Sequence, residues 1–155
     1  MNINKRIIFF VVSAILYTSL AYACECSWIS LADALKGADA VFKGSVKEIS
    51  YSGKKNSFNE KEIIVIFNVT RQWKGNVENQ FILETVHNEV SCDGYIFEKG
   101  KEYLIFAKQN NNSGFGTSFC DGTRPLPSAE DIKELGPGNI PSPQLERPFL
   151  IFILC

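Results

Sequence analysis

Five cysteines and one histidine carry the widest chemical range in this sequence: Cys24, Cys26, Cys92, Cys120, Cys155 and His87. A lone histidine cannot build a multi-histidine metal site. Any serine or cysteine nucleophile would have to take its base from His87 alone, so hydrolase chemistry starts weak. His87 reads more simply as a strand-end or loop residue. The cysteines can serve as disulfides or as thiolate ligands. A C-x-C pair with two later single cysteines lacks the paired C-x-x-C spacing of structural zinc sites, which favours disulfides.

Cys24 and Cys26 are two apart, so on an extended segment their side chains leave the same face. Bonding them to each other would close a strained, very small ring. Each needs a distant partner, and Cys92 and Cys120 supply two in either of two pairings. Both pairings close loops of roughly 66 to 96 residues, each bond contributing on the order of 4 kcal/mol in the chain-entropy treatment. Either way the N-terminal segment is clamped onto the domain, and Cys155 is left over.

The elements that would position these residues begin with a targeting signal. Lys5-Arg6, an apolar run over residues 7–20 and Ala21-Tyr22-Ala23 have the charged, greasy and small-residue order of a secretory signal peptide spanning residues 1–23. The run is too short, and too cleanly followed by A-x-A, for a transmembrane anchor. Cleavage after Ala23 makes Cys24 the first residue of the exported chain and predicts a secreted or periplasmic, cell-surface location, where disulfides are the default. A cysteine at the cleavage point also raises a lipoprotein reading, with Cys24 acylated. Ala21 three places before it, and bulky Tyr22 where a small residue is usual, favour ordinary cleavage.

The chain has 155 residues, 45% hydrophobic and 21% charged, enough for one core and one domain. Its formal net charge of −1 supplies no electrostatic footprint for nucleic acid, and membrane contact is expected only if Cys24 is lipidated. Residues 24–136 are the predicted domain and residues 137–155 a Pro-rich tail with an apolar end. The seven residues 149–155 are too few to span a bilayer. A tail packed on the domain and a greasy free end are both left open.

Ser30-Leu31-Ala32-Asp33 has capping-box spacing and predicts a short helix closed by Gly37; Ser128-Ala129-Glu130-Asp131, with Gly136-Pro137 beyond, predicts another. Between them, strands are expected over residues 38–49 with a bulge at Gly44, 62–73, 80–86, 103–108 and 115–120. Residues 51–60 read as a loop. In the second strand Ile63, Val65, Phe67 and Val69 share one face. Five strands with helical ends predict an all-β fold with terminal helices, specifically a disulfide-stapled, five-stranded OB-fold Greek-key barrel, with a β-sandwich as competitor. Two N-x-S/T sequons stand at Asn68 and Asn111, the first inside a predicted strand.

The ordered set Cys24-Glu25-Cys26, Ala38-Asp39-Ala40-Val41-Phe42-Lys43-Gly44, Phe67-Asn68-Val69 with Trp73-Lys74-Gly75, Cys92-Asp93-Gly94, residues 100–107 and Cys120 resembles the tissue inhibitors of metalloproteinases and the wider netrin-like modules. The likeness spans most of residues 24–136, as a minimal, single-domain, bacterial-type version. It implies parallel pairing, Cys24–Cys92 and Cys26–Cys120. It also implies inhibition by chelation: the free α-amine and carbonyl oxygen of Cys24 would ligate the catalytic zinc of a target metalloendopeptidase. Glu25, Cys26, Ser27 and Trp28 would flank the contact. An α-amine has a pKa of about 7.7–8.0, so zinc can take its neutral form near neutral pH.

Such a wedge is not an enzyme, needs no cofactor beyond the zinc its target supplies, and is expected to act as a monomer. Glu25 departs from the small uncharged residue usual in the animal inhibitors, since a carboxylate entering an apolar pocket unpaired costs several kcal/mol. The alternative is therefore a non-inhibitory extracytoplasmic netrin-like interaction module, anchored at Cys24 if lipidated. Trp28 could join the protease-facing ridge, but an aromatic near a disulfide more often serves packing. Trp73 and Phe106 read as core, and the lysines at 54, 55, 99 and 101 as solvated loop charges.

Overall fold

The computed structural model describes residues 26, 29–56, 59–87, 93–110, 114–125 and 127–143. The predicted signal peptide, Cys24, Glu25, Ser27, Trp28, Cys92, Asn111 and Cys155 lie outside them. The chain forms helix α1 (Leu31–Gly37), strands β1 (Ala40–Lys55), β2 (Lys61–Lys74), β3 (Gln80–Val86), β4 (Glu102–Gln109) and β5 (Phe115–Gly116), a 3-10 turn (Phe119–Asp121), β6 (Arg124–Pro125) and helix α2 (Ala129–Leu135). It is mostly β, with a short helix at either end of the described sheet.

All strand pairs are antiparallel, in the order β3-β2-β1-β4-β5, and β6 also pairs with β4. The strand count differs from the five expected, and the sheet is not closed. There are six strands among the described residues, and no ladder joins β3 to β5. The seam is bridged instead by a side chain, Thr85 Oγ1 donating to the Thr117 carbonyl at 2.9 Å. β5 forms its ladder with β4 alone, and after Gly116 the backbone leaves strand geometry to make the turn that carries Cys120.

β1 bends enough to be shared by two neighbours. Its register against β2 shifts at four places, one of them between Lys43 and Gly44, where a bulge was expected. Residues Ala40 to Ser45 also pair with β4. The segment read as a loop after Tyr51 is instead the far half of a long hairpin: β1 runs on to Lys55, with Tyr51 opposite Ile63 and Lys55 opposite Lys61. Cross-strand pairing overrides the weak β-propensity of Ser, Gly and Lys there.

The strict alternation in β2 buries Ile63, Val65, Phe67 and Val69 in the main core, beside Phe42, Phe81, Leu83, Phe97 and Ile105. A second cluster lies on the other face of β1 and β4, where Val41, Leu104 and Phe106 meet Leu31 and Ala34 of α1. β4 is thus covered on both faces, which accounts for its unbroken apolar run Tyr103-Leu104-Ile105-Phe106-Ala107. Ser30 caps α1 by accepting from the Asp33 amide at 3.1 Å, and Ser128 with Asp131 forms a reciprocal box on α2.

Candidate functional site

The N-terminal segment is fastened at Cys26, which is disulfide-bonded to Cys120 across 94 residues with the Cα atoms 5.3 Å apart. Of the partners open to Cys26, this is the one in the parallel pairing. It also removes Cys26 from any thiolate metal site. Cys24 and Cys92 fall outside the described residues, as do Glu25, Ser27 and Trp28, so of the residues assigned to the protease contact only Cys26 is placed.

Cys120 is presented by a stiff turn. The Asp121 carboxylate accepts from the Ser118 amide at 2.7 Å and the Ser118 hydroxyl at 2.8 Å, and the Ser118 hydroxyl accepts from the Cys120 amide at 3.3 Å. The other Asp121 oxygen meets Lys108 Nζ at 2.5 Å, tying the turn to β4. The turn ends at Gly122, whose φ of +93° suits glycine, and a Cβ there would lie 2.8 Å from the Ala34 Cβ. Helix α1 and the cysteine turn therefore sit in contact.

Just before β6 the chain solves a second backbone problem. β6 pairs with Tyr103 and Leu104, and β5 with Lys108 and Gln109, which leaves Phe106 between them without a strand neighbour on that side. Three hydroxyl contacts fill the place. The Phe106 amide donates to Thr123 Oγ1 at 3.0 Å, Thr117 Oγ1 donates to the Phe106 carbonyl at 2.8 Å, and the two hydroxyls meet at 2.7 Å. All three groups are buried, and the ring satisfies each of them.

Around the disulfide, Cys26, Ile29, Phe119, Gly122 and Arg124 line a shallow notch of about 240 Å³. Phe119 is 47% exposed and Ile29 36%, an apolar pair flanking a sulfur bridge. Sequence reasoning missed both: Phe119 was absorbed into an expected strand, and Ile29 stood outside every motif. Arg124 pairs with Asp131 of α2 at 3.0 Å. Tyr95 stacks near Phe119, with ring centroids 5.1 Å apart. Burial pushes the Tyr95 phenol up to about 12, the nearby Tyr103 adds to the shift, and Arg124 opposes it.

A larger cleft, about 640 Å³, opens at the β3–β5 seam. Lysines 54, 55 and 108 face Glu62, Glu84, Asp93 and Asp121 there, and this even mixture selects no ligand class. The smaller notch is the better candidate because the disulfide fixes it and Ile29 and Phe119 give it an exposed apolar pair, with Arg124 at its edge. Among the described residues no group of three His, Cys, Asp or Glu side chains is arranged to hold a metal ion. Trp73 is half-buried against the second core cluster and Phe106 fully buried, while His87 is exposed at the end of β3. No family model and no curated protein matches this chain in sequence.

Proposed function

We propose that this chain is an exported inhibitor of zinc metalloendopeptidases, built on an OB-type Greek-key barrel and acting through the free amine and carbonyl of Cys24. The strand order 3-2-1-4-5, with its two ends drawn together at Thr85 and Thr117, supports the barrel topology. The single observation that carries the functional reading is the Cys26–Cys120 bond. It fastens the chain two residues after the proposed zinc ligand, on a turn held by Asp121 and Lys108 and flanked by exposed Ile29 and Phe119. A ligand ordered before binding loses less freedom when it binds.

The chemistry is displacement. The neutral amine and the carbonyl oxygen of Cys24 replace the water on the target's zinc, and removing that water removes the nucleophile the protease would generate from it. No group of the inhibitor reacts. The apolar notch would rest on the rim of the protease cleft. Glu25 requires a target whose specificity pocket carries a positive group, since an unpaired buried carboxylate is strongly unfavourable.

Glu25 also favours a second reading, a netrin-like interaction module without inhibitory activity, tethered through Cys24 if that residue is lipidated. Intact-mass analysis of the exported chain separates the two. A terminus beginning at an unmodified Cys24 is expected, followed by stoichiometric inhibition of at least one member of a panel of zinc endopeptidases. A diacylglyceryl adduct on Cys24 would exclude chelation, because the amine is then ordinarily capped as well.

A further inference from the structure

The sheet has a second, outward apolar surface. On β2, Ile64 and Ile66 alternate with the core residues and are half-buried. On β3, Ile82 stands directly opposite Ile66 and is 58% exposed. Ser50 and Glu48 of β1 lie opposite Ile64 and Ile66, and Glu84 of β3 opposite Ile64, giving the three isoleucines a polar rim. Together the three form an apolar strip across β2 and β3, and covering it would take the exposed part of Ile82 and the half-buried Ile64 and Ile66 out of water.

The described chain ends at the start of β3, on the approach to this surface. After α2 it returns to the sheet at Asn139, which exchanges two backbone hydrogen bonds with Gln72, at 2.9 and 2.7 Å. It then pairs in parallel at Ser142 with Glu78: the Asn79 amide donates to the Ser142 carbonyl at 2.8 Å and the Ser142 amide to the Val77 carbonyl at 3.2 Å. Because the pairing is parallel, the chain at Ser142 is heading in the direction of β3. Ile82 lies four residues beyond Glu78, about 13 Å away at strand rise, and the seven residues from Ser142 to Phe149 can span up to about 23 Å.

We infer that the outward isoleucine face of β2 and β3 is the docking site of this chain's own apolar run, Phe149-Leu150-Ile151-Phe152-Ile153-Leu154. The run has the chemistry the face lacks, and its tether starts within reach of the face and points along β3. A tether this short sets an effective concentration of roughly millimolar, which gives the run an advantage over a second molecule competing for the same surface. The proposal does not depend on protease inhibition.

Amide hydrogen exchange on the full chain, followed by mass spectrometry at two protein concentrations, tests it. Residues 149–154 should exchange at least about tenfold more slowly than a free peptide of the same sequence, equally at both concentrations. In the Ile66→Lys/Ile82→Lys variant that protection should vanish while residues 103–107 of β4 stay protected. If β4 also loses protection, Ile82→Lys alone is used, since its side chain already stands largely in water. Free exchange of residues 149–154 in the unaltered chain would overturn the proposal. So would protection that survives the substitutions, or protection lost on dilution, the mark of a second copy.

Discussion

The Trp73 indole nitrogen donates to the Gly136 carbonyl at 2.9 Å, joining the end of β2 to the C-terminus of helix α2. The next residue does the same for the other helix: Lys74 Nζ reaches the carbonyls of Leu35 and Lys36, both at 2.9 Å, at the end of α1. Gly75 completes the trio, with φ of +81° and a site where a Cβ would meet the Asp39 carbonyl oxygen at 2.7 Å. The tripeptide thus fastens both helices and the entrance of β1 to one strand end. Replacing Trp73 by Phe removes one hydrogen bond and part of the indole's packing against the second cluster. It should cost about 1–3 kcal/mol in urea unfolding, and Lys74→Met about 1 kcal/mol with faster exchange confined to the last turn of α1.

Gly94 answers to packing alone. A Cβ there would lie 2.0 Å from the Val86 carbonyl oxygen, a distance that only backbone movement can relieve. Gly94→Ala should therefore destabilise the fold by about 3 kcal/mol, with the loss appearing as a lower urea midpoint at unchanged slope. Gly37→Ala, where nothing lies within 4 Å of the added carbon, is the control and should leave stability equal to the parent's or raise it by up to about 1 kcal/mol.

The threonine ring at Phe106 makes a different prediction. Thr117→Val keeps the shape but leaves the Phe106 carbonyl without its hydroxyl donor in a buried site. A loss of about 1–3 kcal/mol is expected. Thr117→Ser, which retains the hydroxyl, should recover most of it, and a Thr117→Val/Thr123→Val pair should cost less than the sum of the single changes because the two hydroxyls contact each other.

Tyr95 gives the fold an alkaline limit. Its phenol is held up at about 12 in the folded state against an ordinary value of 10.0, chiefly by burial. The folded state therefore keeps a proton that the unfolded chain gives up first, so this contribution is complete below pH 10 and declines as pH rises toward 12. Unfolding free energy measured across that window should fall in the parent and fall less in Tyr95→Phe. A tyrosinate absorbance titration showing Tyr95 ionising at an ordinary pH would refute the assignment.

Much of this was legible in the residues. The capping serines at 30 and 128 mark helix starts with no tertiary help, and the odd-numbered apolar residues of β2 fix which face is core. What escaped was long-range. Residues 51–55 look like loop because their strand character comes from pairing with β2. Phe119 looked like strand because the Ser118–Asp121 box that turns the chain is hidden among ordinary polar residues. The notch beside the disulfide could not be read at all, since Ile29 and Phe119 are far apart in sequence and meet through the Cys26–Cys120 bond and the packing of α1 on the cysteine turn.

The fastening itself can be removed. In Cys26→Ala/Cys120→Ala the unfolded chain regains the freedom of a 94-residue loop, and stability should drop by about 4 kcal/mol. Asp121→Asn, which weakens the turn but keeps the bond, should lower stability by about 1 kcal/mol and weaken any protease complex chiefly through a faster off-rate.

The chelation account stands or falls on the nitrogen of Cys24. Inhibition constants should be measured, against a zinc endopeptidase that the exported chain blocks, for that chain and for one with a single extra alanine ahead of Cys24. A loss of at least about a hundredfold in the extended chain, roughly 2.7 kcal/mol, is the predicted result. Equal inhibition by the two chains, or failure of the unextended chain to inhibit any zinc endopeptidase offered, would contradict it.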